Sequence, residues 1–134
     1  MMAPTLVFPR AHYDDMLAYV LADPTTERCG LLAGTEGIVD KVLPVPNALN
    51  SPVAYLMDGP EFAAAMVACA FEPLGIFHSH PVGPPVPSPT DIAQAAYPDS
   101  LYVVISLQST LPSVRVFRIV DEQVSELNVD ILST

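Results

Sequence analysis

His78, Ser79 and His80 are followed after ten residues by Asp91, and Ser88 stands three positions before that aspartate. On a strand, residues two apart point to the same face with Cα atoms about 6.5–7 Å apart, so two imidazoles at that spacing can converge on one ion. Pro81 stops the strand just beyond them. Alone, H-x-H also describes two polar residues at a strand end. Ser88-Pro89-Thr90-Asp91 likewise has a purely structural reading, with Ser at an N-cap, Pro at the first helical position and an acid at the third. A capped first turn is also rigid enough to hold a carboxylate in a fixed place. Two imidazoles and one carboxylate would leave the fourth tetrahedral position of zinc open to water, as in catalytic sites. The intervening PVGPPVPSP segment has five prolines in nine residues. That composition restricts the backbone and lowers the entropy cost of holding Asp91 opposite the histidines.

The elements that must position these residues follow from periodicity and breakers. Leu6–Phe8 is a short strand, and Arg10–Leu21 carries apolar residues at helical spacing, ended by Asp23-Pro24. Glu27–Ala33 and Leu74–His80 read as buried strands, Ile38–Val45 as a paired strand, and Ala54–Met57 as another short one. The Ala-rich Pro60–Phe71 is a helix with Pro in its first turn, and a short helix runs from Pro89 to about Ala96. The nearly all-apolar Leu101–Leu107 is a central strand. Val114–Val120 and Val124–Ile131 alternate in polarity and suit an antiparallel pair at a sheet edge. These elements predict an α/β fold over residues 1–134 as one domain, a single mixed, mostly antiparallel sheet with helices packed on it.

Composition narrows the function. The 134 residues hold 15 acidic and 5 basic side chains, a formal net charge of -10, with 51% hydrophobic residues. A chain this apolar can bury a core. So acidic a chain does not bind nucleic acid through phosphates, and it offers an anionic membrane no basic stripe. No apolar run approaches the ~18–20 residues of a membrane span, and the N-terminus lacks a basic start with an apolar core. Cys29 and Cys69 are too few for a disulfide framework or a Cys-rich zinc site and read as reduced thiols, so a cytoplasmic location is expected. A Cys29 nucleophile is disfavoured because the residue falls inside an apolar strand. Cys69 reads as core. No G-x-S-x-G, H-E-x-x-H or P-C-x-x-C pattern occurs. His12 matches no motif and is expected at the helix surface or in helix packing.

HSHPVGPPVPSPTD resembles the JAMM (MPN+) metalloprotease family, whose signature H-x-H-P-x6-S-x2-D it matches at every fixed position. The family also carries an upstream Glu on a strand, often before Cys-Gly, and TTERCGLLAG supplies Glu27. The resemblance spans about Leu6 to Leu107. It implies a layered fold like that of cytidine deaminases, one zinc ion per chain on His78, His80 and Asp91, Glu27 as the general base and Ser88 as the oxyanion donor. It further implies hydrolysis of an isopeptide or peptide bond after the Gly-Gly tail of a ubiquitin-like or sulfur-carrier protein. Two other tasks remain open: release of an amino acid such as cysteine from a carrier C-terminus, and a non-catalytic scaffold of the MPN type. The oligomeric state is left open.

Overall fold

The computed structural model describes residues 5–134. The first four residues of the N-terminal stretch read above lie outside the described residues. Seven strands and three helices follow in the order β1 (Thr5–Phe8), α1 (Arg10–Leu21), β2 (Cys29–Thr35), β3 (Ile38–Val45), α2 (Gly59–Ala68), β4 (Gly75–His80), α3 (Pro89–Gln94), β5 (Leu101–Ser106), β6 (Ser113–Val120) and β7 (Gln123–Ile131). No helix among the described residues is long and apolar enough to cross a membrane.

The sheet is mixed, in the order β1-β3-β2-β4-β5-β6-β7, and it closes on itself. Neighbours pair antiparallel at β2–β3, β2–β4, β5–β6 and β6–β7, and parallel at β4–β5, β1–β7 and β1–β3. β6 and β7 do pair as expected, but β7 is not an edge. Thr5–Phe8 of β1 runs parallel to Asn128–Ile131, and Val7 also faces Ile38 of β3, which closes the barrel. A four-residue strand with no turn linking it to either neighbour leaves no local signal of this closure.

β4 and β5 lie at the centre, and every residue of both is buried. Side chains alternate between two cores. Phe77, Val103 and Ile105 join Met16 and Val20 of α1. Ile76 and Tyr102 join Ala65 of α2, with Ile92 of α3 packed against them. Burial on both faces explains why LYVVIS shows no polar alternation.

α2 ends at Ala68, three residues early, because Ala70 and Phe71 turn the chain with φ of 53° and 60°. Ala54–Met57 joins no ladder. Asn47 holds this segment instead, donating to the Ala54 carbonyl at 2.9 Å and accepting from the Leu56 N–H at 3.0 Å. An Asn side chain offering both a donor and an acceptor mimics a neighbouring strand at alternate residues.

Candidate active site

β4 fixes His78 and His80. Both share the face of Ile76, toward α2 and α3, and the strand is clamped by β2 on one side and β5 on the other. The register Cys29↔His78 continues past the end of β2. The Ser79 N–H donates to the Arg28 carbonyl at 2.9 Å, and the Arg28 N–H donates to Ser79 Oγ at 2.9 Å. One further step puts Glu27 across from His80. The Glu27 backbone is held again by donation to the Ser51 carbonyl and by acceptance from Asn47 Nδ2. Glu27 thus lies just before β2, not within it as expected. It is 4% exposed, so it is not a solvated strand end.

Asp91 arrives from the other side on α3. Its N–H donates to Ser88 Oγ at 3.1 Å, and the Ser88 N–H donates to Asp91 Oδ2 at 2.9 Å, a complete capping box. The cap geometry points the same oxygen at the histidines. His78 Nε2, His80 Nε2 and Asp91 Oδ2 form a triangle with every side 3.0 Å. Ser88 itself reaches the cluster only through Asp91. Its Oγ accepts from the helix, and its proton stays free to donate.

Two contacts at the site carry no sequence signal that would have found them. Pro84 accepts from His80 Nδ1 at 2.8 Å, and Ser106 Oγ anchors that loop by donating to the Gly83 carbonyl at 2.6 Å. A proton on Nδ1 leaves the His80 Nε2 lone pair aimed at the cluster. The Tyr55 ring stacks on His78 at 4.5 Å, from the segment that forms no strand.

Burial pushes the Glu27 carboxyl up to about 7; His80 opposes this and Asp91 adds to it. Burial would also raise Asp91, but hydrogen bonds from both imidazoles and from the Ser88 N–H hold it well below the usual carboxylate range. His78 is pushed down by burial against the pull of Asp91. At His80 burial acts the same way, yet the Asp91 and Pro84 hydrogen bonds outweigh it and the imidazole lies above its ordinary value. Cys29 is fully buried, donates to the Val45 carbonyl and is pushed up to about 12, first by burial and then by the Glu27 charge. Cys69 is buried in the α2 core, as expected.

These residues fit a divalent metal. Ligand atoms of Glu27, His78, His80 and Asp91 all lie within 4.8 Å of one another. The three at 3.0 Å match the roughly 3.3 Å edge of a tetrahedron with bonds of about 2.0–2.1 Å. Two ring nitrogens and a carboxylate oxygen crowded on one point need a cation to share, and this borderline N/O set suits zinc. Glu27 Oε1 is buried without a partner, which is costly unless a ligand meets it.

Comparison with known proteins agrees with this geometry. Residues 9–120 match the family described as prokaryotic homologs of the JAB domain. A CysO-cysteine peptidase of Mycobacterium tuberculosis is 36% identical over 87% of this chain and 84% of its own length. A Thermus thermophilus protein named "Probable TtuB-protein conjugate cleaving protease" is 40% identical over 69% of this chain and 64% of its own length. The solution structure of protein DSY2949 from Desulfitobacterium hafniense superposes with a TM-score of 0.83 at 29% identity, covering 96% of this chain and 94% of that one. The match over most of the chain and the buried Glu-His-His-Asp cluster agree, and the chain belongs to the prokaryotic JAB-domain family of JAMM-type metalloproteases.

Proposed function

We propose that this protein hydrolyses an amide bond at the C-terminus of a small carrier protein and releases an amino acid such as cysteine. The observation that carries the reading is the buried cluster of Glu27, His78, His80 and Asp91. Its relation over nearly the whole chain to a protein named for a cysteine peptidase activity supports the amino-acid leaving group. The second reading is cleavage of an isopeptide after a Gly-Gly tail, and it draws on the relative named for protein conjugates.

His78, His80 and Asp91 would hold one zinc ion, which supplies Lewis acidity to a scissile carbonyl and acidity to water. Glu27, buried beside these ligands with Oε1 unpartnered, would take a proton from the attacking water and return it to the leaving amine. The Ser88 hydroxyl would donate to the oxyanion of the tetrahedral intermediate. The Pro84 carbonyl and the Tyr55 ring keep the two imidazoles in place.

The closed barrel offers a carrier tail no open sheet edge. The segment Ala54–Met57 offers another place. Ala54 and Leu56 are bonded on one side, while the N–H and C=O of Tyr55 and Met57 bond to nothing among the described residues. An extended tail can pair with those free groups beside Asp91. The test offers the zinc-loaded protein a carrier–cysteine adduct and a carrier–lysine isopeptide side by side, with product masses as readout. Faster release of cysteine, abolished by a chelator, is expected. Faster isopeptide cleavage would favour the second reading, and activity after complete metal removal would overturn both.

A further inference from the structure

Two cavities flank the histidine pair. One, of about 290 Å³, has Asp91, Tyr55 and Met57 in its wall, and the other, of about 300 Å³, has Glu27, His80 and Ser88. One strap of chain crosses between them, with Pro52 and Val53 facing the second and Tyr55–Met57 facing the first. We infer that the second cavity receives the side chain of the residue that leaves with the amine, and that it selects an uncharged aliphatic or thiol side chain. This rests on the hydrolytic reading above.

The direction follows from Glu27. The group that returns a proton to the leaving nitrogen must stand on that nitrogen's side of the scissile bond. Glu27 lines the second cavity and not the first. Tyr55 and Met57, whose backbone groups bond to nothing among the described residues, line the first, which assigns that side to the acyl tail.

The selectivity follows from the walls. Apart from Glu27, His80 and Ser88, the second cavity is lined by Val53, Val82, Val86, Gly83 and prolines. Val53 is 69% exposed and Val82 75%, so two aliphatic side chains stand uncovered at the mouth of a polar centre. Covering them with an apolar side chain is favourable, and the proline-rich wall is already ordered. Among the described residues, no Lys or Arg lines either cavity. Arg28 stacks on Tyr19 at 4.1 Å and donates to the Tyr19 carbonyl, and Arg115 is paired with Glu126. An acidic side chain would therefore find no Lys or Arg along this wall to pair with, and a lysine would give up its hydration to an aliphatic surface.

The experiment uses the full chain with zinc and synthetic peptides ending in Gly-Gly-X, where X is Val, Cys, Asp or Lys. Val and Cys should be released with a kcat/KM about 10- to 100-fold above Asp and Lys. Val82→Lys, at an exposed position that does not threaten folding, should raise release of Asp relative to Val. A second readout needs no turnover: glycyl-valine, but not glycyl-aspartate, should shift the methyl resonances of Val53, Val82 and Val86. Equal rates for all four residues, with those resonances unmoved, would overturn the pocket while leaving the hydrolase reading standing. Methyl shifts with no cleavage of any peptide would leave only an apolar dipeptide site and overturn both its leaving-group role and the hydrolase reading. Absence of both cleavage and shifts would overturn the two together.

Discussion

Ser88 and Asp91 hold each other twice: the Ser88 N–H donates to Asp91 Oδ2 at 2.9 Å, and Ser88 Oγ accepts from the Asp91 N–H at 3.1 Å. The first bond aims a carboxylate oxygen at the two histidines, and the second starts α3. The cap and the candidate metal site are therefore one device, and the hydroxyl proposed for the oxyanion is also the cap of α3.

Those tasks separate by substitution. Ser88→Ala should lower stability by about 1 kcal/mol through the lost cap. It should lower kcat by about 100- to 1,000-fold if the hydroxyl serves the oxyanion. Ser88→Thr keeps a capping hydroxyl and should recover most of the stability. Thermal melts and steady-state rates on the same samples check both effects, and a rate loss no larger than the loss of folded protein would leave Ser88 a cap only.

Metal content follows the triangle. His78→Ala or Asp91→Ala should drop bound zinc from about one equivalent per chain to near zero and remove activity with it. Elemental analysis after gel filtration measures this. Zinc retained by the Asp91→Ala protein would mean that Glu27 ligates.

Glu27→Gln should keep zinc and lose about 100- to 10,000-fold in rate. The same variant tests the burial of this carboxyl in metal-stripped protein. The folded state lifts Glu27 from an ordinary 4.5 to about 7, so folding favours the neutral form. Below 4.5 the carboxyl is neutral whether folded or unfolded and costs nothing. Stability is lost as pH rises between 4.5 and 7, because the unfolded chain ionises first. Glu27→Gln should then melt above wild type at pH 8 and alongside it at pH 4. An equal difference at both pH values would show that Glu27 is not held neutral by burial.

Cys29 should be chemically silent. Its thiol is buried and pushed up to about 12, so alkylation of the folded protein at pH 7.5 should be slow. Cys29→Ala should keep activity within about threefold, since metal-assisted hydrolysis needs no thiolate. Loss of most turnover with zinc still bound would assign the cysteine a role in the chemistry.

What the sequence determined on its own is local. Helix α1 over Arg10–Leu21 and strand β3 over Ile38–Val45 have the bounds read from apolar spacing, Asp23-Pro24 and the turn residues. The same-face placement of His78 and His80 needs only the pleat, and the Ser88–Asp91 cap needs only one helical turn. Each involves residues close along the chain, where covalent geometry limits the choices. Tertiary structure decided the rest. Glu27 meets His80 only because β2 and β4 pair in the register that buries Leu31 and Ile76 in one core and Leu32 and Phe77 in the other. A slip of one residue would turn every one of those side chains to the wrong face. The closing of the barrel by β1, the Tyr55 ring over His78 and the Pro84 carbonyl on His80 likewise depend on packing between distant segments. Loop-closure entropy opposes such contacts, and only the burial of the whole core stabilises them, so no short stretch of sequence contains their signal.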